Sequence, residues 1–146
     1  MTTRPRPSTP VSNDTELTER WRALLQLDGP PSRRSLFLAW LRPDGTMVPL
    51  LIPVDDVPLE PDRGALANLV DVHATVAESE GVEPAELHLA MLLERRGPAG
   101  LSPDDHAWSS AIEAVVRDGD GIDCSVHVGN GRTAVPVLPR KTWPPA

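Results

Sequence analysis

The first stretch of apolar residues with helical spacing lies near the start of the chain. It follows Asn13, an N-cap residue type, with Glu16 three positions on, which is the arrangement of a capping box. The apolar positions fall at i, i+4, i+7 and i+8 and are Leu17, Trp21, Leu24 and Leu25. This pattern predicts a short N-terminal helix over residues 14–28.

Two further helices are predicted in the middle and later parts of the chain. Apolar residues recur with helical spacing over 62–79, and Asp62 is the N-cap residue. Later, Ser102 precedes a proline and two acidic residues, a combination that suits a helix start and its dipole. The second of these helices is therefore expected over 103–117.

Five shorter apolar runs predict β-strands, over 35–41, 46–54, 86–93, 122–128 and 133–137. The third run fits a strand or a short helix, and the flanking proline and glycine favour a strand. Asp44-Gly45 separates the first two runs and Asn130-Gly131 separates the last two, so each pair predicts a hairpin. Proline cannot donate to a ladder, so the prolines in the second run predict an edge strand.

The order of these elements predicts an α+β fold, in which helices flank a mixed β-sheet and a short helix precedes it. We expect one domain over 14–137, which consists of the N-terminal helix at 14–28 and a core at 33–137. Residues 1–13 are rich in proline, threonine and serine and predict a disordered N-terminal tail. Residues 138–146 predict a C-terminal tail of the same kind.

Composition and charge narrow the class of protein. The chain carries 14 basic and 21 acidic residues, a net charge of −7, which argues against binding to DNA or RNA. Its single cysteine forms no internal disulfide and no paired-cysteine metal site. No apolar run approaches the ~20 residues of a membrane span. The single cysteine makes a reducing cytoplasm the expected location, and the 17 prolines with arginine as the dominant base are typical of a bacterial protein.

The segment at 97–107, GPAGLSPDDHA, lies between a predicted strand and a predicted helix. Together with the later Gly-Ile strand and hairpin, the pattern is carried by Pro98, Gly100, Ser102, Pro103, Asp105, Gly121, Ile122, Val128 and Gly129. It resembles the signature region of RadC-like members of the JAB/MPN metalloprotease fold, over roughly residues 35–137. The resemblance implies a three-layer, JAB/MPN-like fold.

The same resemblance implies that the chain has lost a metal site. The family binds zinc through the two histidines of an HxH motif and the aspartate of its SPxD segment, and leaves the fourth position for an activated water. Here the residues at 92–96, LLERR, stand where the histidines belong, and only Asp105 matches a ligand position. Arg95 and Arg96 add positive charge beside any cation. We therefore expect no metal, no cofactor and no catalysis by the family mechanism.

Our leading hypothesis is a non-catalytic protein-binding module. The candidate binding cleft is the former metal site and comprises Glu94, Arg95, Arg96, Ser102 and Asp105. In this hypothesis Arg95 and Arg96 pair with acidic side chains or a terminal carboxylate of a protein partner.

A second hypothesis is a metal-dependent hydrolase with an atypical site. His88 and His127 lie in predicted strands and could face one another across the sheet, joined by Asp105 and Glu94. This hypothesis requires the two strands to be neighbours with both histidines on one face. The other two histidines fit ordinary helix residues, and Cys124 fits a small buried hydrophobe.

A third hypothesis is an interaction subunit that forms a homodimer or binds a partner through its N-terminal helix. The surface would be the apolar face of that helix, at Leu17, Trp21, Leu24 and Leu25.

Overall fold

The computed structural model describes residues 9–25 and 31–144, and every structural statement below concerns these residues. The helices are Asp14–Leu25 (α1), Arg63–Glu80 (α2) and Pro103–Ile112 (α3). The strands are Ser35–Leu41 (β1), Ile52–Asp55 (β2), His88–Glu94 (β3), Cys124–Gly129 (β4) and Ala134–Leu138 (β5). A 3₁₀ turn at Pro84–Glu86 leads into β3, and a π-helical segment at Glu113–Gly119 extends α3.

The strands form one mixed sheet in the order β2-β1-β3-β4-β5. Strands β3 and β4 are parallel, and the other neighbours are antiparallel. Ser35 of β1 lies opposite Glu94 of β3, and Leu89 of β3 lies opposite Cys124 of β4. The α+β class predicted from the sequence is confirmed.

Successive side chains of the central strand β3 point to opposite faces of the sheet. Leu89, Met91 and Leu93 pack into the larger core cluster, which contains apolar residues of α2 and α3. Ala90 and Leu92 pack into a second cluster with the apolar side of α1. The two faces are called the α2/α3 face and the α1 face below.

The helix starts follow the capping residues of the sequence. Asp62 accepts a hydrogen bond from the backbone N–H of Ala65, and α2 ends at Gly81, whose φ of 71° suits glycine. Ser102 caps α3. The helix predicted over 103–117 is α-helical only to Ile112, and its last part is the π-helical segment.

The strand predicted over 46–54 is shorter in the structure. Only Ile52–Asp55 pairs with β1, apart from an isolated bridge between Met47 and Leu41. Proline at positions 49 and 53 removes ladder donors, so pairing is interrupted and β2 lies at the sheet edge.

Two residues of the predicted tails contact the domain in the structure, one near each end of the described chain. Val11 is buried, and its N–H donates to the carbonyl of Gly45 at 2.9 Å. Near the other end, Trp143 packs against the α1-face cluster. Residues 1–8 and 145–146 of the tails, and 26–28 of the predicted first helix, lie outside the described residues.

Candidate functional site

Arg95, the residue that follows β3, is buried, and its guanidinium donates hydrogen bonds to groups of the same domain. Arg95 donates from Nε to Oδ1 of Asp105 at 3.2 Å and from Nη2 to Oδ2 at 2.6 Å. It also donates to the carbonyls of Pro98 at 2.7 Å and Gly100 at 2.9 Å. The guanidinium thus binds the start of α3 and shapes the loop between the strand and the helix.

Asp105 forms further hydrogen bonds besides those with Arg95. Its backbone N–H donates to Oγ of Ser102, and its Oδ2 accepts from the backbone N–H of Ser102 at 2.8 Å, which completes a capping box. Burial alone would raise the pKa of Asp105, but the bonds from Arg95 and Ser102 outweigh it and lower that pKa. Asp105 is therefore a paired carboxylate at neutral pH.

The two remaining residues of the predicted cleft, Glu94 and Arg96, flank Arg95 along the chain. Glu94 is half-buried, and burial raises the pKa of its carboxyl. Arg96 is exposed and donates from Nε to the carbonyl of Pro31 at 2.9 Å. The structure brings Arg95, Ser102 and Asp105 together, but alternation along β3 places Glu94 on the α1 face, and Arg95 is used for contacts within the domain. Of the two arginines expected to meet a partner, Arg96 is the exposed one.

Arg34 belongs to the same region and was missed from the sequence. The register that sets Ser35 opposite Glu94 brings the Arg33-Arg34 and Arg95-Arg96 doublets to one end of the sheet. Burial is the main cause that lowers the pKa of Arg34, whereas the charges of Asp105 and Asp104 raise it. Within the described residues its Nε and Nη2 find no acceptor. The signal available in the sequence was a pair of adjacent arginines next to each of two predicted strands.

The two strand histidines occupy the opposite face of the sheet. His88 and His127 are fully buried in neighbouring parallel strands, and both lie on the α1 face. Asp105 lies on the α2/α3 face with α3. The two histidines thus meet the requirement of adjacent strands and one common face, but the sheet separates them from Asp105 and Arg95. Among the residues described, no group of three or more His, Cys, Asp or Glu side chains is placed to hold a metal ion.

His127 attaches α1 to the sheet. Its Nε2 lies 2.7 Å from Oγ of Thr18, and that hydroxyl donates its own hydrogen to the carbonyl of Asp14 at 3.0 Å. The ring therefore donates from Nε2, which fixes the neutral tautomer. Burial lowers the pKa of His127 to about 4.

His88 belongs to a relay that resembles a nucleophile, base and carboxylate. Its Nε2 lies 2.8 Å from Oγ of Ser125, and its Nδ1 lies 3.1 Å from Oδ2 of Asp123. Arg140 binds that same carboxylate oxygen from Nε and Nη2. His88 and Ser125 are fully buried, so the closed structure admits no substrate. Sequence reasoning singled out His88 but none of its partners, which lie 35 or more positions further along the chain.

The other candidate groups have structural roles. His73 is buried, accepts from Nε1 of Trp40 at 3.2 Å on Nδ1, and contacts the carbonyl of Pro84 at 2.8 Å through Nε2. His106 is exposed on α3. Burial raises the pKa of Cys124 to about 11, which keeps its thiol protonated and weakly nucleophilic.

The apolar side of α1 is used within the chain. Leu17 and Trp21 are fully buried in the α1-face cluster, and Leu24 and Leu25 pack partly against it. This arrangement leaves Leu17 and Trp21 unavailable to a second copy or a partner, which removes the center of the surface required by the homodimer hypothesis.

Comparison with known proteins returned no match among family models, curated proteins or solved structures. Within the described ranges, none of the helices combines the length and the apolar character that crossing a membrane requires.

Replacing Arg95 by alanine should destabilise the domain strongly, because it leaves the buried Asp105 carboxylate without its cation. We expect a loss of about 3–5 kcal/mol in the free energy of unfolding, measured by urea denaturation. Arg96→Ala is the matched control, and its exposed side chain should change stability by no more than about 0.5 kcal/mol. Equal effects of the two substitutions would contradict the buried-pair assignment.

Stability should fall as the pH drops from about 6.5 to about 4, because the unfolded chain protonates His127 before the folded protein does. A folded pKa of about 4 against an ordinary value of 6.5 corresponds to about 3 kcal/mol, fully present above pH 6.5. Denaturation of His127→Gln across this range should show a shallower pH dependence than the wild type. The exposed control His106→Gln should follow the wild type, and parallel curves for His127→Gln would count against this assignment.

Proposed function

We propose that this chain is a non-catalytic, RadC-like domain of the JAB/MPN type that binds another protein in a bacterial cytoplasm. One observation carries the proposal. In the position that the resemblance gives to the zinc ion, next to the SPxD aspartate, the guanidinium of Arg95 is bound to Asp105. An arginine side chain supplies the positive charge there.

The residues present do not fit a zinc ion. Both carboxylate oxygens of Asp105 accept hydrogen bonds from Arg95, and one of them also accepts from the N–H of Ser102. The chain offers no histidine at 92–96 to complete the ligand set. A metal at this point would face the charge of Arg95 at close range. We therefore derive no hydrolytic step for this site.

The loop at 96–101 is the binding surface we propose. Its first five residues are exposed, and Arg95 fixes its course through the carbonyls of Pro98 and Gly100. A loop held in one conformation loses little entropy when a partner binds. Arg96 presents an outward guanidinium at its start, which suits an acidic side chain or a terminal carboxylate of the partner.

Metal analysis tests the non-catalytic part of the proposal. After incubation with zinc and removal of free metal, elemental mass spectrometry should find no more zinc in the wild type than in Asp105→Ala. One zinc per chain in the wild type, lost in Asp105→Ala, would overturn the proposal.

Charge reversal tests the binding part. The wild-type domain should cross-link to a discrete partner in bacterial extract, and Arg96→Glu should lose that product. Arg132→Glu, which reverses an exposed charge in the β4–β5 turn, is the matched control and should retain it. Retention by both variants would place the interface elsewhere, and the absence of any product with the wild type would reject the binding module.

A further inference from the structure

The segment that follows β5, residues 139–144, lies across part of the α1 face without joining any helix or strand. Its backbone donates one hydrogen bond to the rest of the described chain, from the N–H of Arg140 to Oδ1 of Asp14 at 3.3 Å. Its first residue, Pro139, accepts from Nη2 of Arg117 at 2.6 Å. Side chains therefore provide most of what holds the segment in place.

One carboxylate provides the main attachment. Oδ2 of Asp123 accepts from Nε of Arg140 at 2.8 Å and lies 2.7 Å from its Nη2. The same guanidinium lies 4.8 Å from the ring centroid of Trp143, within the range of a cation–π contact. Arg140 thus connects the anchor at Asp123 to the aromatic ring near the end of the segment.

The segment covers the relay of the α1 face. The ring of Trp143 is 6.2 Å from the ring of His88, and both His88 and its partner Ser125 are fully buried. A cavity of about 420 Å³ lies beside them and is lined by Asp123 together with Lys141 and Thr142 of the segment. Asp123 lies 3.1 Å from Nδ1 of His88 and also lines this cavity, and the segment lines the same cavity through Lys141 and Thr142.

We propose that residues 139–144 form a latch that opens as a local unit and admits small polar molecules from this cavity to the His88–Ser125 pair. Segments with few backbone hydrogen bonds open at a lower free-energy cost than the core elements beneath them. The ladder bonds of the sheet and the packing of α1 against it do not depend on the segment, so opening costs the contacts of Arg140 and Trp143 and the hydrogen bond from Arg117 to Pro139.

The histidines allow the latch to be tested by covalent labelling. Diethyl pyrocarbonate, which modifies accessible neutral imidazoles, is applied near pH 7, and mass spectrometry assigns each modified position. Exposed His106 reports the intrinsic reactivity, buried His73 reports global unfolding, and His127 reports detachment of α1. Only His88 reports the latch.

Arg140→Ala and Trp143→Ala should each label His88 about tenfold faster than the wild type, because each removes one attachment of the latch. His73 and His127 should stay protected in both variants. Arg132→Ala, which removes an exposed arginine outside the segment and away from the cavity, is the matched control and should label like the wild type. If His88 is no faster in either variant, the segment does not cover it. If the labelling rate of His73 or His127 increases together with that of His88, the opening is not local to the latch. Either of these two results overturns the proposal.

Discussion

The buried ion pair between Arg95 and Asp105 is the contact on which the β3–α3 region depends. It joins the end of the central strand to the first turn of a helix that packs on the α2/α3 face. Its guanidinium also supplies the donors that two loop carbonyls need. Burying either charge alone would be costly, whereas the pair with its added hydrogen bonds satisfies both. The same ion pair therefore determines both the conformation of the loop between β3 and α3 and the charge balance around it.

The sheet divides the polar chemistry of the molecule into two separate sites. The α2/α3 face contains the buried Arg95–Asp105 pair, and the α1 face contains the partly buried Asp123–Arg140 pair near two buried histidines. Alternation along β3 makes this division unavoidable, because Arg95 and His88 are an odd number of positions apart. A metal site that combines Asp105 with His88 and His127 would require side chains to reach through a sheet. The histidines instead hold α1 and contact the C-terminal segment.

Much of the fold could be predicted from the sequence, because its signals are local. Helical spacing, the Asp62 cap and the Ser102-Pro103 start located α2 and α3, and alternation with turn residues located the strands. The candidate site was harder to predict. Nothing local distinguishes buried Arg95 from exposed Arg96, since the distinction comes from the packing of α3 against the sheet. The contacts of Val11 and Trp143 with the domain could not be predicted for the same reason, because they form only with residues distant along the chain.

The most direct test of the central claim is a double-mutant cycle at Arg95 and Asp105, with Arg95→Met, Asp105→Leu and the double variant compared by urea denaturation. Each single variant leaves one buried charge unpaired, whereas the double variant leaves none, so the double loss should be smaller than the sum of the single losses. The account predicts a coupling of about 2–3 kcal/mol. Losses that add to within about 0.5 kcal/mol would show that the two side chains act independently and would contradict it.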